Sequence, residues 1–145
     1  MKRGAGIAAA LMLVAPAQAR PPEYFRSDLG FPFAEAVQVG DMLYLSGQIG
    51  TAPGTRTVVP GGIEAEAKQV MDNVGAVLRR RGLEYDSLVK CTVMLTDMKE
   101  WPAFNTIYAT YFKPGRYPAR SAFGANGLAL GAKVELECWA HNPQK

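Results

Sequence analysis

The sequence predicts a single α+β domain in which two helices cover one face of a mixed β-sheet. Two amphipathic helical segments, at about 63–81 and 99–112, alternate with strand-like segments, so the chain passes twice from strand to helix to strand. Such passages place both helices on the same face of one sheet. The uncovered face then requires a partner, because a large apolar surface is rarely left in water. An oligomer is therefore expected.

The first 19 residues have the layout of a secretory signal peptide. Lys2 and Arg3 form a basic start, an apolar run follows at 7–15, and Ala17-Gln18-Ala19 matches a cleavage site. The apolar run is too short to span a bilayer. We expect cleavage after Ala19 and an exported, membrane-free domain at 20–145, periplasmic in a Gram-negative source. The alternatives are an uncleaved anchor or a wrongly assigned start codon.

Charge and composition exclude several classes of function. The chain of 145 residues has a net charge of +3, of which Lys2 and Arg3 supply two, so the mature domain carries about +1. Non-specific nucleic-acid binding needs a concentrated basic surface, so no nucleic-acid partner is expected. His141 is the only histidine, which argues against a zinc site or a serine-histidine triad. No metal ligand is predicted.

Local patterns give the order of the predicted elements. A hairpin is expected at 36–46, with its turn at Gly40-Asp41, and further strands at 88–95 and 133–140. The first helix ends before Gly82 and the second begins near Asp97, with Glu100 completing a capping box. Their apolar faces contain Ala67, Val70, Met71, Val74, Val77 and Leu78 in the first, and Phe104, Ile107, Tyr108 and Tyr111 in the second.

The two cysteines lie in strands with apolar neighbours. Alternation places Cys91 with Val93 and Leu95, and Cys138 with Leu136, on apolar faces. Export would permit a disulfide. Because a bridge requires a narrow range of Cα separation, we predict two buried free thiols in preference to a disulfide.

Three segments contain residue types suited to chemistry on a small anion. Pro118-Ala119-Arg120-Ser121 places an arginine at the mouth of a loop, and Glu135 follows fifteen residues later in a strand. Arginine forms a planar fork suited to a carboxylate, and a partly desolvated glutamate is suited to proton transfer. With the segment 44–50 (YLSGQIG), these residues resemble the Rid family of reactive intermediate deaminases, also called the YjgF or endoribonuclease L-PSP family. The resemblance covers about 33–140.

The resemblance implies a fold, an assembly and an activity. Family members are homotrimers of a chorismate-mutase-like fold, with the sheets forming a central barrel and three pockets between subunits. Their deaminases hydrolyse 2-imino acids to 2-oxo acids and ammonia, without a cofactor. The expected partners of this chain are thus a small imino or carboxylate ligand and two further copies of itself.

The resemblance also implies roles for individual residues. Arg120 would bind the substrate carboxylate, and Glu135 would activate water. Main-chain groups at the turn Ser46-Gly47 and at Ala122 would hold the imine nitrogen, and Asn105 matches a frequent asparagine of the second helix. The structural alternatives are an ion-paired surface arginine, an ion-paired glutamate and a helix-surface asparagine.

Two differences from typical deaminases keep other functions open. Phe33 occupies the position of a substrate-binding tyrosine, and the glycine-rich segment 122–132 lacks a leucine-proline pattern. A second hypothesis is therefore a non-catalytic protein that binds a small carboxylate. A third, disfavoured by charge and by the single histidine, is an endoribonuclease.

Overall fold

A mixed β-sheet forms the centre of the computed structural model, which describes residues 20–143. Its strands pair in the order β1-β2-β3-β7-β5-β6, and the short β4 also pairs with β7. Only the β5-β6 pair is parallel, since α2 lies between these strands in the chain. The strand bounds are β1 Glu23–Arg26, β2 Ala34–Val39, β3 Met42–Leu45, β4 Gln48–Ile49, β5 Leu88–Leu95, β6 Ala119–Gly124 and β7 Val134–His141.

Two α-helices pack on one face of this sheet, as the sequence predicts. Helix α1 spans Gly62–Arg79 and α2 spans Trp101–Ala109. A 3₁₀ turn at Met98–Glu100 precedes α2, and the Asp97 side chain caps it by accepting a hydrogen bond of 2.9 Å from the Lys99 amide. Asp97 thus caps this turn, whereas the residue that precedes α2 itself is Glu100, whose side chain makes no capping hydrogen bond. Helix α2 therefore begins later and is shorter than predicted.

The core lies between the helices and this face of the sheet. All six apolar positions predicted for α1 are buried, because they recur at helical spacing and face the strands. In α2, the side chains of Phe104 and Tyr108 are buried and that of Ile107 is half-buried against the core, as is that of Tyr111 just after the helix. The strands contribute Ala36, Leu43, Leu45, Val93, Leu95, Val134, Leu136 and Ala140.

The opposite sheet face carries exposed apolar side chains. Tyr44 and Trp139 are register partners on β3 and β7, and their ring centres are 5.2 Å apart. Val39 and Phe123 are also exposed, and strand alternation places both on this face. This open face has no covering element among residues 20–143, as the fold prediction requires.

Three strands, β1, β4 and β6, were not predicted from the sequence. The two-residue β4 is too short to show a periodic pattern. No element was predicted for the segment containing β1, and the segment containing β6 was interpreted as a loop, so Arg120 lies within an edge strand rather than at a loop mouth. Both strands are short and rich in charged or small residues, which gives them little periodic signal. Their pairing with β2 and β5 is a tertiary effect, since main-chain hydrogen bonds do not depend on side-chain pattern.

The prediction of two free thiols was wrong. Cys91 and Cys138 form a disulfide that joins β5 to β7. The two residues are direct register partners, with their Cα atoms 4.1 Å apart. Directly opposite residues of an antiparallel pair come as close as about 4.5 Å. The strand order β7-β5 therefore brings the thiols together, and that order is not visible in the sequence.

No helix within residues 20–143 is long and apolar enough to cross a membrane. The predicted signal peptide at 1–19 lies outside the described residues.

Candidate functional site

Arg120 lines a cavity between α2 and the edge strand β6. The cavity has a volume of about 340 Å³, and its other lining residues are Asn105, Tyr108, Ala109, Tyr117 and Pro118. The guanidinium carbon lies 4.7 Å from the centre of the Tyr108 ring and 5.2 Å from that of Trp101. These aromatic faces attract the cation but leave its hydrogen-bond donors available.

The charge of Arg120 is not neutralised within the part of the chain that the structure describes. The side chain is half-buried, and none of the four ion pairs among residues 20–143 includes it. A partly buried guanidinium without an acidic partner is suited to binding an anion from outside. This geometry disfavours the alternative of an ion-paired surface arginine.

Two further polar groups of the same cavity lack hydrogen-bond partners. The Asn105 side-chain oxygen and the Tyr108 hydroxyl are both buried, and neither has a partner among the described residues. Burial raises the pKa of Tyr108 to about 12, although the charge of Arg120 opposes the shift. The phenol therefore remains protonated at neutral pH and can donate a hydrogen bond.

Tyr108 was predicted only as part of the apolar face of α2. Asn105 and Tyr108 are three residues apart in a helix, so both side chains lie on one face. Because Asn105 was already a candidate site residue, this spacing could have identified Tyr108 as a further candidate. The sequence could not show that β6 places Arg120 against the same helix face.

Glu135 lies in a second region, beside the turn between β3 and β4. A Cβ atom on Gly47 would lie 1.9 Å from a carboxylate oxygen of Glu135, so only glycine permits this approach. Burial raises the pKa of Glu135, and the neighbouring charge of Glu137 raises it further. A carboxylate with a raised pKa is a stronger base, which suits it to accepting and returning a proton.

Ser46 and Phe33 lie near the same turn. The Ser46 hydroxyl donates a hydrogen bond of 2.6 Å to the carbonyl of Ala34, which holds the first residue of β2 against the turn. Phe33 directly precedes Ala34, is exposed, and stacks on Phe31 with a centroid distance of 5.0 Å. Ser46 therefore positions the backbone, whereas Phe33 presents an apolar ring to its surroundings.

The two regions lie on opposite faces of the sheet. Arg120, Cys91 and Cys138 occupy one cross-strand row, and that row faces the helices. Glu135 is three residues from Cys138 on β7, so strand alternation directs it to the open face. Ala122 lies two residues after Arg120 and shares its face. Within one chain, Arg120 and Asn105 therefore line the same cavity, and Glu135 lies beside Gly47.

No group of three or more histidine, cysteine, aspartate or glutamate side chains within residues 20–143 is arranged to hold a metal ion.

The fold and the two regions define a class of small α+β proteins with a cationic, aromatic-walled cavity and a separate, partly buried carboxylate with a raised pKa. The family model described as endoribonuclease L-PSP matches residues 28–142. The chain belongs to this family, which also includes the Rid proteins.

Curated and solved relatives agree with the family match. The chain is 43% identical over 109 residues to the mouse 2-iminobutanoate/2-iminopropanoate deaminase, covering 75% of this chain and 80% of the mouse protein. The Rid family protein YyfA of Yersinia pestis is 36% identical with a TM-score of 0.77, and the match covers 83% of this chain and 99% of the YyfA chain. The YjgF gene product of E. coli is 33% identical, with a TM-score of 0.71, over 76% and 87% of the two chains.

Proposed function

We propose that this protein is a hydrolytic deaminase that converts small 2-imino acids to 2-oxo acids and ammonia. The observation that carries the proposal is the Arg120 cavity, in which a half-buried cation has no acidic partner among residues 20–143. A 2-imino acid has a carboxylate that matches this cation. The mouse relative, whose name states this reaction, supports the choice of substrate.

The reaction needs one anion site and one proton-exchanging group. Arg120 binds the substrate carboxylate, and main-chain groups at Gly47 and Ala122 hold the imine nitrogen. Glu135 takes a proton from water as the water oxygen bonds to C2. As the C2=N π electrons move to nitrogen, the proton passes from Glu135 to this nitrogen. Glu135 then takes the proton of the new C2 hydroxyl while the C2–N bond breaks with its electron pair on nitrogen. This gives the C2 carbonyl of the 2-oxo acid and ammonia, which receives that proton and leaves as ammonium. The raised pKa of Glu135 makes this carboxylate a stronger base than an exposed glutamate. No cofactor is needed, since a protonated imine is already electrophilic.

The two regions are brought together in a homotrimer, in our proposal. Arg120 and Glu135 lie on opposite sheet faces of one chain, so a pocket that contains both takes each from a different copy. The exposed Tyr44, Phe123 and Trp139 support association through the open face, because burying large apolar side chains stabilises an interface.

The protein is exported, we further propose, after removal of residues 1–19. The Cys91–Cys138 disulfide supports this location, because disulfides persist in oxidising compartments and are rare in the cytosol. The test is mass spectrometry of the N-terminal peptide of the protein purified from its native source. Export predicts that this peptide begins at Arg20.

The activity is tested by generating 2-iminopropanoate and 2-iminobutanoate in situ with an amino-acid oxidase. We expect the mature protein to accelerate 2-oxo acid formation, and Arg120→Ala and Glu135→Gln to abolish the acceleration. Val89→Thr, at an exposed position of β5, is a matched control that should retain activity. No acceleration by the wild-type trimer would refute the deaminase.

The binding protein remains the second candidate, because Phe33 presents a ring without a hydroxyl group. Saturable binding of 2-oxobutanoate without imine hydrolysis would identify it. An endoribonuclease would instead cleave RNA under the same conditions, and no cleavage is expected.

A further inference from the structure

Unsatisfied buried polar atoms are concentrated at the Arg120 cavity. Four side-chain nitrogen or oxygen atoms within residues 20–143 are buried without a hydrogen-bond partner, and two of them belong to Asn105 and Tyr108. Leaving such a group unpaired destabilises a protein by about 1–3 kcal/mol. A folded chain that retains two of them in one cavity indicates a ligand that supplies their partners.

We propose that the Tyr108 hydroxyl donates a hydrogen bond to the ligand carboxylate that Arg120 binds, making Tyr108 a substrate-binding residue. This inference rests on the proposed function only in taking the ligand to be a small carboxylate. It adds a second donor to the anion site, on a different element from Arg120.

The chemistry of the hydroxyl selects the carboxylate as its partner. The phenol stays protonated at neutral pH because burial raises the pKa of Tyr108 to about 12. A protonated imine nitrogen is a donor only, so the carboxylate oxygens are the acceptors that a 2-imino acid offers. The Arg120 guanidinium lies over the Tyr108 ring, so an anion bound by the guanidinium is held beside this residue.

A purely structural role for the hydroxyl does not fit its surroundings. The Tyr108 ring packs against Phe104 and Phe112, with centroid distances of 5.5 and 4.8 Å, and phenylalanine would preserve both contacts. The hydroxyl has no partner in the described part of the protein. Its removal should therefore leave the folded state unchanged or more stable.

Tyr108→Phe tests the proposal, with 2-oxobutanoate as the probe ligand. Calorimetry should show binding that is weaker by about tenfold or more, as expected for loss of a hydrogen bond to a charged group. The thermal midpoint without ligand should be equal to or above that of the wild type. Equal affinity in the two proteins would overturn the proposal.

Tyr111→Phe is the matched control. The Tyr111 hydroxyl donates a hydrogen bond of 2.9 Å to Asp72, and Tyr111 does not line the cavity. This variant should lose thermal stability and keep its affinity for 2-oxobutanoate, the reverse of the result expected for Tyr108→Phe. A loss of affinity as large as that of Tyr108→Phe would show that the effect is not specific and would contradict the proposal.

Failure of this inference differs from failure of the proposed deaminase. A wild type that binds 2-oxobutanoate but does not hydrolyse imines refutes the deaminase, while the affinity ratio still decides the role of Tyr108. A wild type that does not bind 2-oxobutanoate overturns the Tyr108 proposal directly, even if imine hydrolysis is observed.

Discussion

The Arg120 cavity and the Glu135 turn differ in charge, in surroundings and in the sheet face that they occupy. Arg120 lies among aromatic rings beneath α2, whereas Glu135 lies beside Gly47 on the open face. The cavity supplies a cation and two polar groups without a hydrogen-bond partner among residues 20–143, and the turn supplies a carboxylate with a raised pKa. Each region thus has half of what imine hydrolysis needs, with the sheet between them.

The difference shows how one small domain keeps opposite charges apart. An arginine and a glutamate in contact would form an ion pair, which would occupy the anion site and lower the carboxylate pKa. Placing them on opposite faces leaves the cation available and the carboxylate basic. In the proposed trimer, the two groups meet only across an interface.

The largest expected effect comes from mixing two inactive variants. Arg120→Ala and Glu135→Gln should each lower activity about a hundredfold or more, through loss of substrate positioning or of the general base. If each site takes one residue from each of two copies, trimers re-formed from an equal mixture should recover about a quarter of wild-type activity. Activity is measured by the coupled imine assay.

The control for this complementation is the same two proteins mixed without dissociation, which should remain inactive. Absence of recovery in verified mixed trimers would show that Arg120 and Glu135 act within one chain, contrary to the comparison of the two regions.

Removing the disulfide should have the next largest effect, and it should act on both regions. The bridge joins β7, which carries Glu135, to β5, which pairs with the strand of Arg120. For a loop with a sequence separation of 47, the chain-entropy model predicts a loss of about 4 kcal/mol in the free energy of unfolding. Denaturant titration of wild type with and without reductant measures it. An unchanged midpoint on verified reduction would contradict the prediction.

Gly47→Ala should disturb the Glu135 region alone. The new methyl group would lie 1.9 Å from the carboxylate in its present position, so the Glu135 side chain must move. A misplaced catalytic group lowers the rate by about a hundredfold. We expect a lower kcat with 2-oxobutanoate affinity within about threefold of wild type, because Arg120 supplies most of the anion binding. Gly40→Ala is the control for a general effect of an added methyl group on this hairpin. Gly40 lies in the β2-β3 turn with open space around its Cβ position, and its φ of 54° adds backbone strain to this control variant.

The smallest expected effect is a shift in pH dependence. Activity that requires ionised Glu135 rises with pH through its pKa, which lies above the ordinary value of 4.5. Glu137→Gln removes the second cause of that raised pKa, so the acid limb of kcat/KM should move to lower pH, by less than about 1 unit. A shift to higher pH would contradict the statement that the charge of Glu137 raises the pKa of Glu135.

The accuracy of the predicted elements followed the strength of their local patterns. Strand β5 was predicted with its observed bounds, and α1 within two residues at its C-terminal end, because each has a continuous apolar periodicity. Strand β6 has none, so the edge position of Arg120 was missed. Arg120, Asn105 and Glu135 were identified as candidates from residue type and motif, but their grouping into two regions was not.

The sequence by itself determined the fold class, the family and the residues able to bind an anion or move a proton, because these depend on local periodicity and on motifs. Only the tertiary structure decided which of those residues meet. Strand order placed Cys91 opposite Cys138, and the pairing of β6 with β5 placed Arg120 under α2 and beside Tyr108. These contacts join residues distant in the chain, and strand pairing through the backbone leaves little trace in side-chain pattern.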